Sequence, residues 1–479
     1  MKSTSSLSQT SPIAPHRRKL LQSSMLAGLG SLFGGPLVSR AAFAAADSAT
    51  ASTDLLQAQK EVRLALLMGN SEYPAPFDLP PIPKNVHDLG YVLEKRGFEV
   101  SDALNGNLPA SRKTLDDFIA KAAAAPADAT LFFYFSGHGI QVDATNLLLP
   151  AGLDPSGKPD ALRGGSVRLI DDVILKIPPR KGGTIVAVVD ACRTSLKAGA
   201  DGGLNQVVAP PDCLIAFSTG AGRPAVAPAD ANRSTFYTAS LVKLMESTAD
   251  QTQFRDLFQL VRTDVRETML NFPVQAIRNL AQDSFIADST RTSCTLAPRG
   301  IAPAAPPTQP DEVVEEEDWQ KVTAAVWPAD VIQAADAFLK AHPASPHAAT
   351  AKVARGGAAE SLKALRRNDV RLFKTAFDLP GTQADDEDLQ RDLNRAGRGD
   401  KDAAARLGNL QKARRDTPNW MNRYEGWLQL AAALGNGIAS YDLALHYRSQ
   451  NQPLLSTQWE SRARELGYTP PPTLDNVRK

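Results

Sequence analysis

Two residues of this chain bring together a nucleophile and a base. Cys192 closes the run Thr184-Ile185-Val186-Ala187-Val188-Val189-Asp190-Ala191-Cys192. His138 stands in Ser136-Gly137-His138-Gly139, just after the apolar run Ala129 to Phe135. The thiolate is the nucleophilic form of cysteine, and a neighbouring imidazole can take its proton and stabilise its charge. The glycines flanking His138 keep backbone bulk low around the ring, and they leave the Gly139 N–H able to approach a reacting carbonyl oxygen. Alone, a cysteine after a strand is usually inert packing. Here a cysteine and a histidine each stand at a strand end in a small-residue loop, and together they point to covalent catalysis.

The elements that must position them alternate between strand and helix. Leu64 to Gly69 is an apolar run typical of a buried parallel strand. Val86, Leu89, Val92 and Leu93 have helical spacing, with Gly97 as C-cap, and Phe98-Glu99-Val100 opens another strand. Leu115, Phe118 and Ile119 mark a second helix, and Cys213 to Phe217 a further strand. This alternation predicts an α/β fold with a mainly parallel sheet, in which sites form beyond the carboxyl ends of strands. The α/β domain is expected over 61–290.

The order Gly69-Asn70, Asn85-Val86-His87-Asp88, Tyr134-Phe135-Ser136-Gly137-His138-Gly139 and Asp190-Ala191-Cys192-Arg193 resembles the large-subunit domain of caspase-like cysteine peptidases. The bacterial metacaspase (orthocaspase) type is the nearest in pattern, and the resemblance runs from about Arg63 to Ala287. The His-to-Cys separation, 192 − 138 = 54, agrees with the family spacing of about 50. The resemblance implies a caspase-like sandwich, with Cys192 as nucleophile and His138 as general acid-base. It implies an oxyanion hole built from the backbone N–H groups of Gly139 and Cys192. It also implies that Asp88, Ser136 and Asp190 line a substrate pocket suited to Arg or Lys at P1. Asp171-Asp172 resembles an acidic pair that binds Ca²⁺ in some metacaspases. No metal ligand is assigned and no cofactor is expected to be required. Two departures stand out: Pro273-Val274-Gln275-Ala276-Ile277 replaces a Gln-x-Pro segment, and His87 stands where asparagine is usual.

The chain has 479 residues and a net charge of +1, from 53 basic and 52 acidic side chains, which gives no sign of a nucleic-acid partner. Three cysteines exclude a disulfide-stapled scaffold. Cys213 and Cys294 could pair in an oxidising compartment, and their spacing does not decide it. Residues 1–46 read as a twin-arginine-type signal peptide: Arg17-Arg18, a short glycine-broken apolar run, then Ala42-Phe43-Ala44-Ala45-Ala46. This predicts a bacterial protein that is periplasmic or secreted, with no membrane span in the mature chain. Ser48 to Gln57 reads as a flexible leader. Thr194 to Pro211, with Lys197, matches a region where such enzymes are sometimes cleaved.

Residues 298–310 form a Pro/Ala-rich linker, and 311–479 read as an all-α C-terminal domain. Gly399-Asp400-x-x-Ala403-x-x-x-Leu407 recurs as Gly435-Asn436-x-x-Ala439-x-x-x-Leu443. The pattern is weakly similar to Sel1-like or tetratricopeptide repeats, which bind protein partners. The expected function is a cysteine endopeptidase acting on peptide or protein substrates. The alternative is a non-catalytic caspase-fold scaffold with a helical interaction tail.

Overall fold

The computed structural model describes residues 61–142, 145–192, 206–220, 225–300, 310–378, 386–415 and 419–468, with Cys192 and Pro310 described in backbone only. The expected signal peptide, the leader, residues 194–205 of the expected cleavage region and most of the linker lie outside them.

The apolar runs become strands β1 (Arg63–Gly69), β2 (Glu99–Leu104), β3 (Thr130–Val142), β4 (Thr145–Leu148), β5 (Val167–Arg168), β6 (Thr184–Cys192), β7 (Cys213–Phe217) and β8 (Phe285–Asp288). They form a sheet in the order β2-β1-β3-β6-β7-β8. All its pairings are parallel except β7 with β8, and β4 and β5 add a short antiparallel extension at the end of β3. Helices cover both faces. On one face α1 (Ile82–Lys95), α4 (Phe236–Ser247) and α5 (Phe254–Leu270) bury Val86, Leu89, Leu241 and Phe258 against Phe132, Tyr134, Val186 and Val188. On the other, α2 (Leu108–Ala124) and the turns Leu169–Val173 and Ile174–Lys176 cover Leu66, Phe133 and Ile185. Burial on both faces is why these strands read as continuous apolar runs. Gly97 has φ of 81° and ends α1 as expected, with the Phe98 N–H donating to Leu93 O (3.0 Å). The short helices α3 (Pro159–Gly165) and α6 (Gln275–Asn279) complete this mixed, mostly parallel α/β fold.

Beyond the linker come eight helices among the described residues: α7 (Pro310–Ala324), α8 (Pro328–Ala341), α9 (Ala348–Leu365), α10 (Glu387–Gly397), α11 (Lys401–Ala413), α12 (Trp420–Ala433), α13 (Gly437–Ser449) and α14 (Pro453–Glu465). The repeated Gly-Asp/Asn signature has a local cause. Gly399 and Gly435 take positive φ (82° and 102°) after one helix, and Asp400 and Asn436 then N-cap the next.

This helical region packs on the α/β region through ions. Arg255 of α5 reaches Asp288 (2.9 Å) and Asp400 (2.9 Å), and Arg395 also approaches Asp288 (3.4 Å). Burial would push the Asp400 carboxyl up, but Arg255, Arg406 and Arg395 outweigh it and hold it below the usual carboxylate range. The start of α11 also caps the outer edge of β8. Lys401 Nζ donates to Ile286 O (2.7 Å), Arg406 Nη1 donates to Asp288 O (2.6 Å), and the Asp288 N–H donates to Asp402 Oδ2 (3.0 Å). No helix among the described residues is long and apolar enough to cross a membrane.

Candidate active site

β3 and β6 lie side by side in a parallel ladder that pairs Ser136 with Asp190, Gly137 with Ala191 and His138 with Cys192. Facing residues on neighbouring strands are about 4.8 Å apart. Residues 54 positions apart in sequence (192 − 138) are therefore direct neighbours. The sequence expectation placed His138 in a loop past its strand, whereas β3 continues through it to Val142. The reason is a change of partner. β1 ends at Gly69, the Asn70 N–H donates to Ser136 O (2.9 Å), and β4 then takes over, with the Leu149 N–H donating to His138 O (3.0 Å). Peptide groups alternate in direction along a strand. Since Ser136 and His138 turn theirs toward β1 and β4, Gly139 turns its N–H toward the side where β6 ends.

His138 is 3% exposed. Its Nε2 lies 2.7 Å from the Phe77 carbonyl oxygen, and the Tyr73 ring meets it edge-on, centroids 4.5 Å apart. The His138 N–H donates to the Tyr73 hydroxyl (3.1 Å), which donates to Leu149 O (2.9 Å). Gly137 makes room for this: a Cβ there would stand 2.7 Å from that hydroxyl and 3.0 Å from the Phe135 ring. A carbonyl oxygen only accepts, so Nε2 carries a proton and Nδ1 is the basic nitrogen of the neutral ring.

Asp190 and Ser136 are fully buried beneath these strand ends. Asp190 Oδ2 accepts from the hydroxyls of Thr235 (2.5 Å) and Thr238 (2.7 Å) at the start of α4. Asn85 Nδ2 donates to Ser136 Oγ (3.1 Å) and Thr235 Oγ1 (3.1 Å), and its Oδ1 accepts from the Thr235 N–H (3.0 Å). Burial raises the Asp190 pKa, and the hydroxyls of Thr235, Thr238 and Ser218 oppose that rise. Asp88 is the more open carboxylate, with 23% of its side chain exposed. It takes Lys84 (2.8 Å) from one turn earlier and the Ser234 hydroxyl (3.1 Å). Partial burial would raise its pKa, but hydrogen bonds from Lys84, His87 and Ser234 prevail and hold it below the usual value. Ser234 joins the two carboxylate environments, since its neighbour Thr235 serves Asp190.

The acidic pair Asp171-Asp172 is held by one arginine: Arg168 reaches Asp172 (2.7 Å) and Asp171 (3.4 Å). Among the described residues no group of three or more His, Cys, Asp or Glu side chains is arranged to hold a metal ion. Cys213 and Cys294 are free thiols packed in the cores on opposite faces of the sheet. Burial pushes the Cys213 thiol up to about 12 and raises that of Cys294 as well.

The sequence reading missed Tyr73, Phe77, Thr235 and Thr238. Phe77 acts through its backbone, which no side-chain type announces. Thr235 carried a signal, a threonine just before the apolar helix that starts at Phe236.

Residues 62–294, just under half of the chain, match the family model for the caspase domain. No curated protein matches the chain. A solved structure described as pro-sf-caspase-1 is similar at 17% identity and a TM-score of 0.37, over 50% of this chain and 96% of that one. The domain match supports a cysteine peptidase in general terms, and with it a protein substrate.

Proposed function

We propose that this chain is a cysteine endopeptidase of metacaspase type working through a His138–Cys192 dyad, with specificity for Arg or Lys at P1. The in-register adjacency of His138 and Cys192, with Phe77 O fixing the imidazole tautomer, carries the reading. Nδ1 of His138 takes the Cys192 proton, and the thiolate attacks the scissile carbonyl carbon. The oxyanion is held by the N–H groups of Gly139 and Cys192. The C–N bond breaks as the imidazolium protonates the leaving amine. Water, deprotonated by His138, then hydrolyses the thioester and restores the thiol.

The P1 cation meets Asp88, which its donors keep ionised at neutral pH. Asp190 and Ser136 form the buried floor, where hydroxyls replace the hydration of the Asp190 carboxylate. A Ca²⁺ effect is part of the same reading only as a variable to measure, as is export to the periplasm by the twin-arginine signal. The C-terminal helices, read as Sel1-like or tetratricopeptide pairs, would bind a protein partner.

The test is a panel of peptides differing only at P1, run with and without added Ca²⁺, on the wild type and on Cys192→Ala. Cleavage after Arg or Lys, lost in Cys192→Ala, is the expected result. Cleavage after Asp would overturn the pocket assignment. Activity retained in Cys192→Ala would overturn the dyad. No cleavage by folded protein with a free Cys192 thiol would favour the scaffold alternative.

A further inference from the structure

In an antiparallel ladder, hydrogen-bonded residues that face each other exchange both N–H···O bonds. The register of β3 with β4 pairs Gly139 with Leu148 and so puts Leu149 opposite His138. The Leu149 N–H donates to His138 O (3.0 Å), as that pattern requires. The return bond takes a detour. The His138 N–H donates to the Tyr73 hydroxyl (3.1 Å), and the hydroxyl donates to Leu149 O (2.9 Å). A phenol can accept and donate at once. Tyr73 therefore stands inside one rung of the ladder, at the residue that carries the imidazole. Its ring also meets that imidazole edge-on, centroids 4.5 Å apart. The loop that carries Tyr73 is fixed by its own bonds. The Tyr73 N–H donates to Asp78 Oδ1 (3.0 Å), the Leu79 N–H to Ser71 O (2.9 Å) and the Ser71 N–H to Asn105 Oδ1 (2.7 Å). The same loop supplies the Phe77 oxygen at His138 Nε2. One loop thus holds the backbone, the ring and one ring nitrogen of His138.

We infer that Tyr73 is a positioning residue for the reaction: its hydroxyl, inserted between His138 and Leu149, sets where His138 stands relative to Cys192 and Phe77 O. This rests on the reading of His138 as the general acid-base. β6 lies on the other side of β3 from β4, with Cys192 paired to His138. Without the hydroxyl the rung either stays open or closes. Closing draws the His138 backbone toward Leu149 and away from Cys192. Staying open removes the bond that holds the His138 N–H. Leu149 O keeps a donor in both cases, because Asn70 Nδ2 also reaches it (3.0 Å). A displacement of about 1 Å in a reacting group can cost about a hundredfold in rate.

The experiment compares the full-length wild type with Tyr73→Phe, which removes only the hydroxyl. Gly137→Ala disturbs the same group by a second route, since its Cβ would stand 2.7 Å from that hydroxyl. Tyr447→Phe is the control: it removes a phenol hydroxyl that donates to Glu425 Oε2 (3.0 Å) within the C-terminal helices. Three quantities are read: kcat and KM on a P1-arginine peptide, the ring ¹⁵N chemical shifts of His138, and Tm. The chain has six histidines, and the His138 signals are those missing from His138→Ala. Tyr73→Phe and Gly137→Ala are expected to lose tenfold or more in kcat, with KM changed less than twofold. Their His138 signals are expected to move from the Nε2-protonated pattern toward a mixture of tautomers. Tyr447→Phe is expected to lower Tm and to move neither. Tyr73→Phe with a lowered Tm but unchanged kcat and ¹⁵N pattern would overturn the inference, leaving the hydroxyl purely structural. Full kcat in His138→Ala would instead refute the acid-base reading, and the ¹⁵N pattern of Tyr73→Phe would still decide whether the hydroxyl positions the ring.

Discussion

Nε2 of His138 lies 2.7 Å from the carbonyl oxygen of Phe77, a residue 61 positions earlier in the chain. The hydrogen bond orients the ring and selects its tautomer, the task a carboxylate performs in triads. His138→Ala should therefore reduce kcat/KM by about 10²–10⁴, the usual worth of a positioned acid-base. Far-UV circular dichroism should be unchanged. A loss below tenfold in a folded protein would remove His138 from the chemistry.

Lys84 occupies the carboxylate that a P1 cation would use, at 2.8 Å from Asp88. Both side chains are partly exposed, so the pair itself adds little stability, within about 1 kcal/mol. Lys84→Ala should lower KM for P1-arginine peptides several-fold with kcat and Tm nearly unchanged. Asp88→Asn should raise KM for the same peptides. An unchanged KM in both variants would place P1 recognition elsewhere.

Arg255 should matter for stability more than its single side chain suggests. Its removal leaves Asp288 and Asp400 buried together without their shared cation. Breaking a buried ion pair from one side costs about 3–5 kcal/mol. Arg255→Ala should shift the urea midpoint accordingly. A shift corresponding to less than 1 kcal/mol would mean that the helices dock by other contacts.

Asp442 on α13 supplies a pH signature. Burial pushes its pKa up to about 6 from 3.8, with Lys412 only partly opposing. A carboxyl with a raised native pKa is more protonated in the folded state, so stability falls as pH climbs from about 3.8 through about 6. The full penalty above that window is at most about 3 kcal/mol. Asp442→Asn should thus raise Tm at pH 7.5 and leave it nearly unchanged at pH 4. Equal effects at both pH values would contradict the assignment.

The fold was legible in the sequence where burial on both faces wrote itself into composition. Leu64 to Gly69, Ala129 to Phe135 and Thr184 to Val189 all became central strands. The extension of β3 through His138 was not legible, because it depends on β4 replacing β1 as partner, a tertiary event. The dyad candidates stood out by residue type, and the structure adds that they are in register. The hydroxyls around Asp190 were hidden for a different reason: Thr235, the N-cap of α4, and Thr238 in its first turn lie 45 and 48 residues after Asp190. The cysteine spacing left pairing open, and the sheet between Cys213 and Cys294 explains why both stay thiols. The Pro/Ala composition of 298–310 marked a boundary in sequence but carried no trace of Arg255 and Asp400 meeting across it.

The outer edge of β8, with its peptide groups taken by Lys401, Asp402 and Arg406, has a consequence for behaviour at high concentration. A strand edge with vacant N–H and C=O groups is a template on which another chain can add, the first step of domain swapping and fibril growth. Here helix side chains take the Ile286 and Asp288 carbonyls and the Asp288 N–H, so that edge is a poorer template. At the opposite edge β2 carries exposed Glu99 and Asp102, charges that discourage stacking of like copies. Substituting Lys401 and Arg406 together would reopen the β8 edge, and the price would be paid in self-association before any loss of native secondary structure.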